Sequence, residues 1–86
     1  PLVLSSLISE SKIFVVKNEA LLRRRYENGV IAVRPRGEVV AQAHFEHLAT
    51  QRARRARPEG YLLIGTIDEI VKRKSYRENE IGVIAA

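Results

Sequence analysis

The sequence contains no cysteine, no methionine and no tryptophan. Without thiols there is no disulfide framework and no thiolate metal site, and nothing fixes a redox compartment. No apolar run approaches the roughly 20 residues of a membrane-crossing helix, so a membrane is not an expected partner. The opening PLVLSSLISESK (1–12) has no basic residues ahead of its apolar ones and reads poorly as a secretory signal, so a cytoplasmic location is expected. Aromatic residues make up only 6%. Of them, Phe14 and Tyr61 alone fall in segments that read as strands, and the motif K/R-G-F/Y-G/A-F-V-x-F/Y is missing. A base-stacking sheet of the RNA-recognition type is therefore disfavoured. There is no glycine-rich phosphate loop, no local pair of catalytic carboxylates and no Ser-His-Asp arrangement, which points away from an enzyme and implies no cofactor.

What is present is a basic, normally hydrophobic chain. Its 86 residues fit one domain spanning 1–86, with 45% hydrophobic and 29% charged residues and a net charge of +5. The charge is unevenly placed. Residues 23–57 hold nine arginines, no lysine, and only Glu27, Glu38 and Glu46 as acids, while the remainder of the chain is nearly neutral. Arginine presents a planar fork of donors that matches phosphate and carboxylate, whereas lysine is a point charge. Such a block is either a compositional surface bias or the electrostatic footprint of a polyanion.

Residues 2–9 are ambiguous between helix and strand, since Leu4, Leu7 and Ile8 suit a helical face while Leu2-Val3-Leu4 suits a strand. KIFVVK (12–17) reads as a buried strand. Asn18 is the expected N-cap of a helix reaching Asn28, with Glu19 in its first turn, Leu21, Leu22 and Tyr26 facing inward, and Gly29 as the left-handed terminator. VIAVR (30–34), PRG (35–37) and EVVAQ (38–42) read as strand, turn and strand, because proline presets the first turn position and glycine permits a positive φ. A helix follows over 43–57, with Ala41, Phe45, Leu48, Ala49, Ala53 and Ala56 on its inner side, ended by Pro58. YLLIG (61–65) reads as a central strand. TIDE (66–69) is a capping box opening a helix that turns Ile67, Ile70 and Val71 inward and carries Lys72, Arg73 and Lys74 at its end. A polar loop (75–80) and a last strand (81–86) complete the chain. The order predicts an α+β fold: a ferredoxin-like βαββαβ sandwich, both helices on one side of an antiparallel sheet, with a C-terminal helix and strand added.

The candidate binding residues follow from the arginine block. His44, His47, Gln51, Arg54 and Arg55 share a polar face of the 43–57 helix, with Arg57 farther round, and Arg34 and Arg36 mark the hairpin tip, which loosely resembles the ribbons that enter DNA grooves. Arg23, Arg24 and Arg25 are adjacent and must fan around their helix, forming a second patch. Charge neutralisation of phosphate needs no exact spacing, so these residues suit nucleic acid, DNA or RNA, read through its backbone. Arg52 falls inside the alanine stripe. It must lie on an exposed part of that stripe, lay its stem over the alanines to reach water, or pair with an acid such as Glu59 or with another subunit. His44 and His47 are spaced for a shared metal, but a zinc site needs three or four protein ligands and no third is apparent, so no metal is expected. The alternative to nucleic-acid binding is a homo-oligomeric assembly module without catalytic activity, built on the alanine-rich face, the last strand and the apolar N-terminal segment.

Two short local likenesses accompany this reading. PLVL (1–4) resembles the start of the tautomerase superfamily, which would imply Pro1 as a general base. That family expects a long helix after its first strand, where SKIFVVK stands here. VIAVRPRGEVVAQAHFEHL (30–48) is similar, over fewer than 20 residues, to antitoxins of the Phd/YefM type, with their short hairpin followed by a helix. It lacks their N-terminal pattern, and it implies nucleic acid as the partner.

Overall fold

A computed structural model describes residues 2–27, 29–72 and 83–84, with side chains over 7–27 and 29–72. The chain opens on helix α1 (Leu2–Lys17), followed by α2 (Glu19–Tyr26). Strands β1 (Val30–Arg34) and β2 (Glu38–Ala43) form the hairpin, then come α3 (Glu46–Ala56), β3 (Leu62–Thr66), α4 (Ile67–Lys72) and the two-residue β4 (Val83–Ile84). The fold is α+β. No described helix is long and apolar enough to cross a membrane.

The sheet order is β2-β1-β3-β4, with every neighbouring pair antiparallel. Both β2 and β3 run against β1, so β2-α3-β3 is a crossover between parallel strands split by β1. Strand alternation divides the buried residues between two faces. On one face Ile31, Val33 and Leu63 meet Ile8 and Val15 of α1, Leu22 of α2, and Ile67 and Ile70 of α4. On the other face Val30, Ala32, Ala43, Leu62 and Ile64 meet Ala49 and Ala53 of α3. Residues buried on both faces explain why β1 and β3 read as continuous apolar runs.

The turn at the hairpin tip follows its local chemistry. The Gly37 amide donates to the Arg34 carbonyl at 3.0 Å, Pro35 and Arg36 occupy the centre, and Gly37 has φ +80°. A turn followed by a left-handed glycine is the usual three-residue hairpin connection. The capping box also forms: Glu69 Oε1 accepts from the Thr66 amide at 2.9 Å, and Thr66 Oγ1 accepts from the Glu69 amide at 3.2 Å.

Several expectations are corrected. The ferredoxin-like βαββαβ order is not present, because KIFVVK belongs to α1 and not to a strand, and helices cover both faces of the sheet. The physical reason lies in the spacing of Ile8, Ser11 and Val15. They form a single helical stripe buried on the sheet, and Ser11 Oγ donates to the Val33 carbonyl at 3.5 Å. Burial of that stripe overrides the strand preference of the β-branched run. Asn18 does not cap α2 with its side chain. Its Nδ2 instead donates back to the Phe14 carbonyl at 2.9 Å, closing the end of α1. The left-handed residue after α2 is Glu27, at φ 35°, not Gly29. A Cβ at Gly29 would push aside the end of the flexible Gln42 side chain and crowd the Tyr26 carbonyl at 3.1 Å. The 43–57 helix starts only at Glu46, because Ala43 is buried as the last residue of β2, opposite Val30. Leu21 and Phe45 face water, 57% and 70% exposed, and Ala56 is exposed as well. Pro1, Asn28 at the expected end of the second helix, residues 73–82 and residues 85–86 lie outside the described residues; within the expected last strand, Val83 and Ile84 pair with β3.

Candidate nucleic-acid interface

The hairpin tip and the end of α3 meet at one end of the sheet. The side chain of Glu38, first residue of β2, joins them. Its carboxylate accepts from Arg34 Nη1 at 3.0 Å and from Arg57 Nη2 at 3.3 and 3.4 Å. The hydrogen bond from Arg34, seconded by Arg57, holds the Glu38 carboxyl below its ordinary range despite some opposing desolvation. The carboxylate thus gathers two guanidinium groups from separate elements, one four residues before it and one nineteen residues after it in sequence. Arg36, at the turn centre, is exposed and has no ion pair among the described residues.

Helix α3 runs from the opposite end of the sheet back to this tip. His47, Gln51 and Arg55 are exposed on it, and Gln51 Nε2 lies 3.1 Å from His47 Nε2. Arg54 is half-buried. Its Nη1 approaches the Arg57 carbonyl at 3.4 Å, while Nη2 is shut away from solvent without a hydrogen-bond partner. Arg54 therefore folds over the helix end, where the dipole favours a cation, and is less available than the helical wheel suggests. Arg52 is exposed, and its Nη1 donates to the Gln42 carbonyl of the outer strand β2 at 2.8 Å. A charged side chain there also blunts a strand edge against pairing with another chain.

The second patch is separate. Leu22 anchors α2 in the core on the opposite face of the sheet from α3. Arg23 is already committed. It reaches Asp68 of α4 at 2.6 Å and Glu19 at 2.8 Å. The hydrogen bond from Arg23 lowers the Asp68 pKa, and the two carboxylates, Asp68 foremost, raise that of Arg23. Arg24 and Arg25 are exposed. Arg25 lines a shallow groove with Tyr26, Gln42 and His44, at the end of the sheet away from the hairpin tip.

The fold thus brings Arg34, Arg36 and Arg57 to one cleft, with Arg54 beside Arg57 at the end of α3, while His47, Gln51 and Arg55 are exposed on α3. It leaves Arg23, Arg24 and Arg25 elsewhere. Sequence reasoning missed Glu38 as the residue that links hairpin to helix. The signal available was its place as the sole acid between Arg34 and His44. It also missed a cleft of about 290 Å³ beside the tip, lined by Leu7 and Glu10 of α1, Arg34, Pro35 and Arg36 of the turn, Arg57, and Glu59 to Leu62. Among the described residues no three His, Cys, Asp or Glu side chains converge as metal ligands. No family model, no curated protein and no solved structure matches the chain.

Proposed function

We infer that the protein binds nucleic acid, chiefly through phosphates, with the outer face of α3 and the hairpin tip as its contact surface. The observation that carries this reading is the charge of the hairpin–α3 unit. Between Val30 and Arg57 it holds Arg34, Arg36, Arg52, Arg54, Arg55 and Arg57 against only Glu38 and Glu46, and the Glu38 bridge keeps both ends of the surface together. Guanidinium groups in that density release counterions from a polyanion, and they contribute register without reading bases. Arg24 and Arg25 belong to a weaker, separate patch.

Fluorescence anisotropy against a nucleic-acid duplex over a salt series tests the reading. The logarithm of the affinity is expected to fall linearly with log salt, and Arg55→Gln to reduce the slope by about 1. Arg24→Gln is expected to change it less. Absence of binding at low salt, or binding indifferent to salt, overturns the proposal.

A second reading, self-association, draws on a different surface. Ile13 and Val16 of α1 are 52% and 46% exposed, and with Leu21 they leave apolar side chains on the outer side of the first two helices. Multi-angle light scattering of the wild type and of Ile13→Ser separates the readings. A stable oligomer lost on Ile13→Ser supports assembly, and a monomer at all concentrations rejects it.

A further inference from the structure

The cleft beside the hairpin tip has a composition that the phosphate surface alone does not explain. Its walls come from three separated parts of the chain: α1, the hairpin turn, and the segment between α3 and β3. Leu7 and Pro35 supply apolar surface, and Tyr61 supplies a half-buried ring. Arg34, Arg36 and Arg57 bring guanidinium groups to the same space, while Glu10 and Glu59 bring carboxylates. A guanidinium has five donors, and Glu38 engages only Nη1 of Arg34 and only Nη2 of Arg57, so both retain capacity for an anion. Arg36, unpaired among the described residues, is fully available.

A ligand matching this set needs an anionic group for the arginines, a flat apolar body for the tyrosine and proline, and hydrogen-bond donors for the carboxylates. A phosphate diester alone has only the first. A nucleoside monophosphate unit has all three: phosphate, base ring, and amino or hydroxyl donors. The volume agrees, since about 290 Å³ stands at the small end of ligand sites, roughly 300–1,000 Å³, and suits one nucleotide rather than a dinucleotide.

We propose that this cleft receives a single unpaired nucleotide, free or within a strand, with its phosphate on Arg34, Arg36 and Arg57 and its base against Tyr61 and Pro35. The proposal rests on the nucleic-acid reading above and deepens it. A base held in a duplex cannot enter such a cleft without leaving its stack, so the protein is expected to favour single strands. Aromatic rings and arginine planes are the usual platforms for unpaired bases.

The test compares, by anisotropy, a labelled single-stranded oligonucleotide of about ten residues with its duplex, a length within the span that single-strand binders cover. Adenosine 5′-monophosphate, uridine 5′-monophosphate and inorganic phosphate serve as competitors. Tyr61→Leu is expected to weaken the single strand about tenfold, the size of one lost stacking contact, and to leave duplex affinity unchanged. Either mononucleotide is expected to displace the strand well before inorganic phosphate does, which shows that the free unit also occupies the cleft; displacement by neither confines the site to nucleotides within a strand. Arg36→Gln, a change at an exposed turn residue that leaves the fold intact, is expected to weaken the single strand more than the duplex. Thermal melts check each variant, and if Tyr61→Leu fails to fold, Arg36→Gln decides. Equal affinity for strand and duplex, with neither variant discriminating between them, overturns the cleft while a salt-dependent phosphate surface stands. No binding to any probe at low salt overturns both.

Discussion

The two faces of the sheet are built from different materials. The face under α1, α2 and α4 is packed with large branched side chains, Ile31, Val33, Leu63, Ile67, Ile70 and Val15, each 1% exposed or less. The face under α3 is lined by Ala32, Ala43, Ala49 and Ala53, with Val30, Leu62 and Ile64 filling in. Their surfaces differ as well. Arg23 on the first side is matched by Glu19 and Asp68. On the second side, Arg34 and Arg57 share one carboxylate, and Arg55 has none among the described residues. The lesson is a division of labour. The thick aliphatic side removes most apolar area from water and so carries most of the stability. The alanine side lets a helix lie close to the sheet, which leaves its outer surface free to be basic.

The contrast is open to attack at both faces. The largest effect is expected from Leu63→Ala on the aliphatic side, a loss of about 2–5 kcal/mol in urea unfolding, because a large buried chain is removed from a filled site. A loss below about 1 kcal/mol would mean that this face is loosely packed. On the alanine side the sensitive direction is the reverse. Ala53→Leu is expected to cost about 1–3 kcal/mol by overpacking. Ala56→Leu, one turn on but exposed, is expected to stay within about 0.5 kcal/mol. If the two alanine variants behave alike, α3 does not sit as described.

Gly37 tests how the hairpin tip is held against α1. A Cβ there meets a left-handed backbone, and it would also lie 2.8 Å from Phe14 Cδ1. Gly37→Ala is therefore expected to lower stability by about 1–2 kcal/mol, the cost of the left-handed backbone alone. The smallest effect is electrostatic. Asp68 and Glu38 both have depressed pKa values in the folded protein, so each contributes stability that is present above its ordinary carboxylate value and is lost as pH falls through the folded one. Asp68→Asn and Glu38→Gln are each expected to reduce the midpoint of thermal unfolding slightly near pH 6, with the deficit closing toward acid. A deficit that widens in acid would contradict the pairing.

Legibility followed the range of the forces involved. The hairpin, its PRG turn, the capping box at Thr66 and Glu69, and the apolar strand, which runs over Leu62–Thr66 where 61–65 is expected, all rest on chemistry within a few residues. The helix at 12–17 was hidden because Val15, Val16 and Ile13 favour strands locally. The clue was Ser11, whose small side chain sits in register with Ile8 and Val15 on a helical stripe. At the candidate site, the arginines were legible as a block. Their partners were not, because Glu38 meets Arg57 across nineteen residues and Arg23 meets Asp68 across forty-five.

By itself, then, the sequence determined the local elements and the amount of positive charge, since turn geometry, capping and composition need no distant partner. Tertiary structure alone decided that α1 is a helix, which arginines are neutralised, and that α1, the hairpin turn and the approach to β3 enclose a cleft. Those outcomes depend on which apolar stripes are buried against which face of the sheet, and burial is a property of the whole chain.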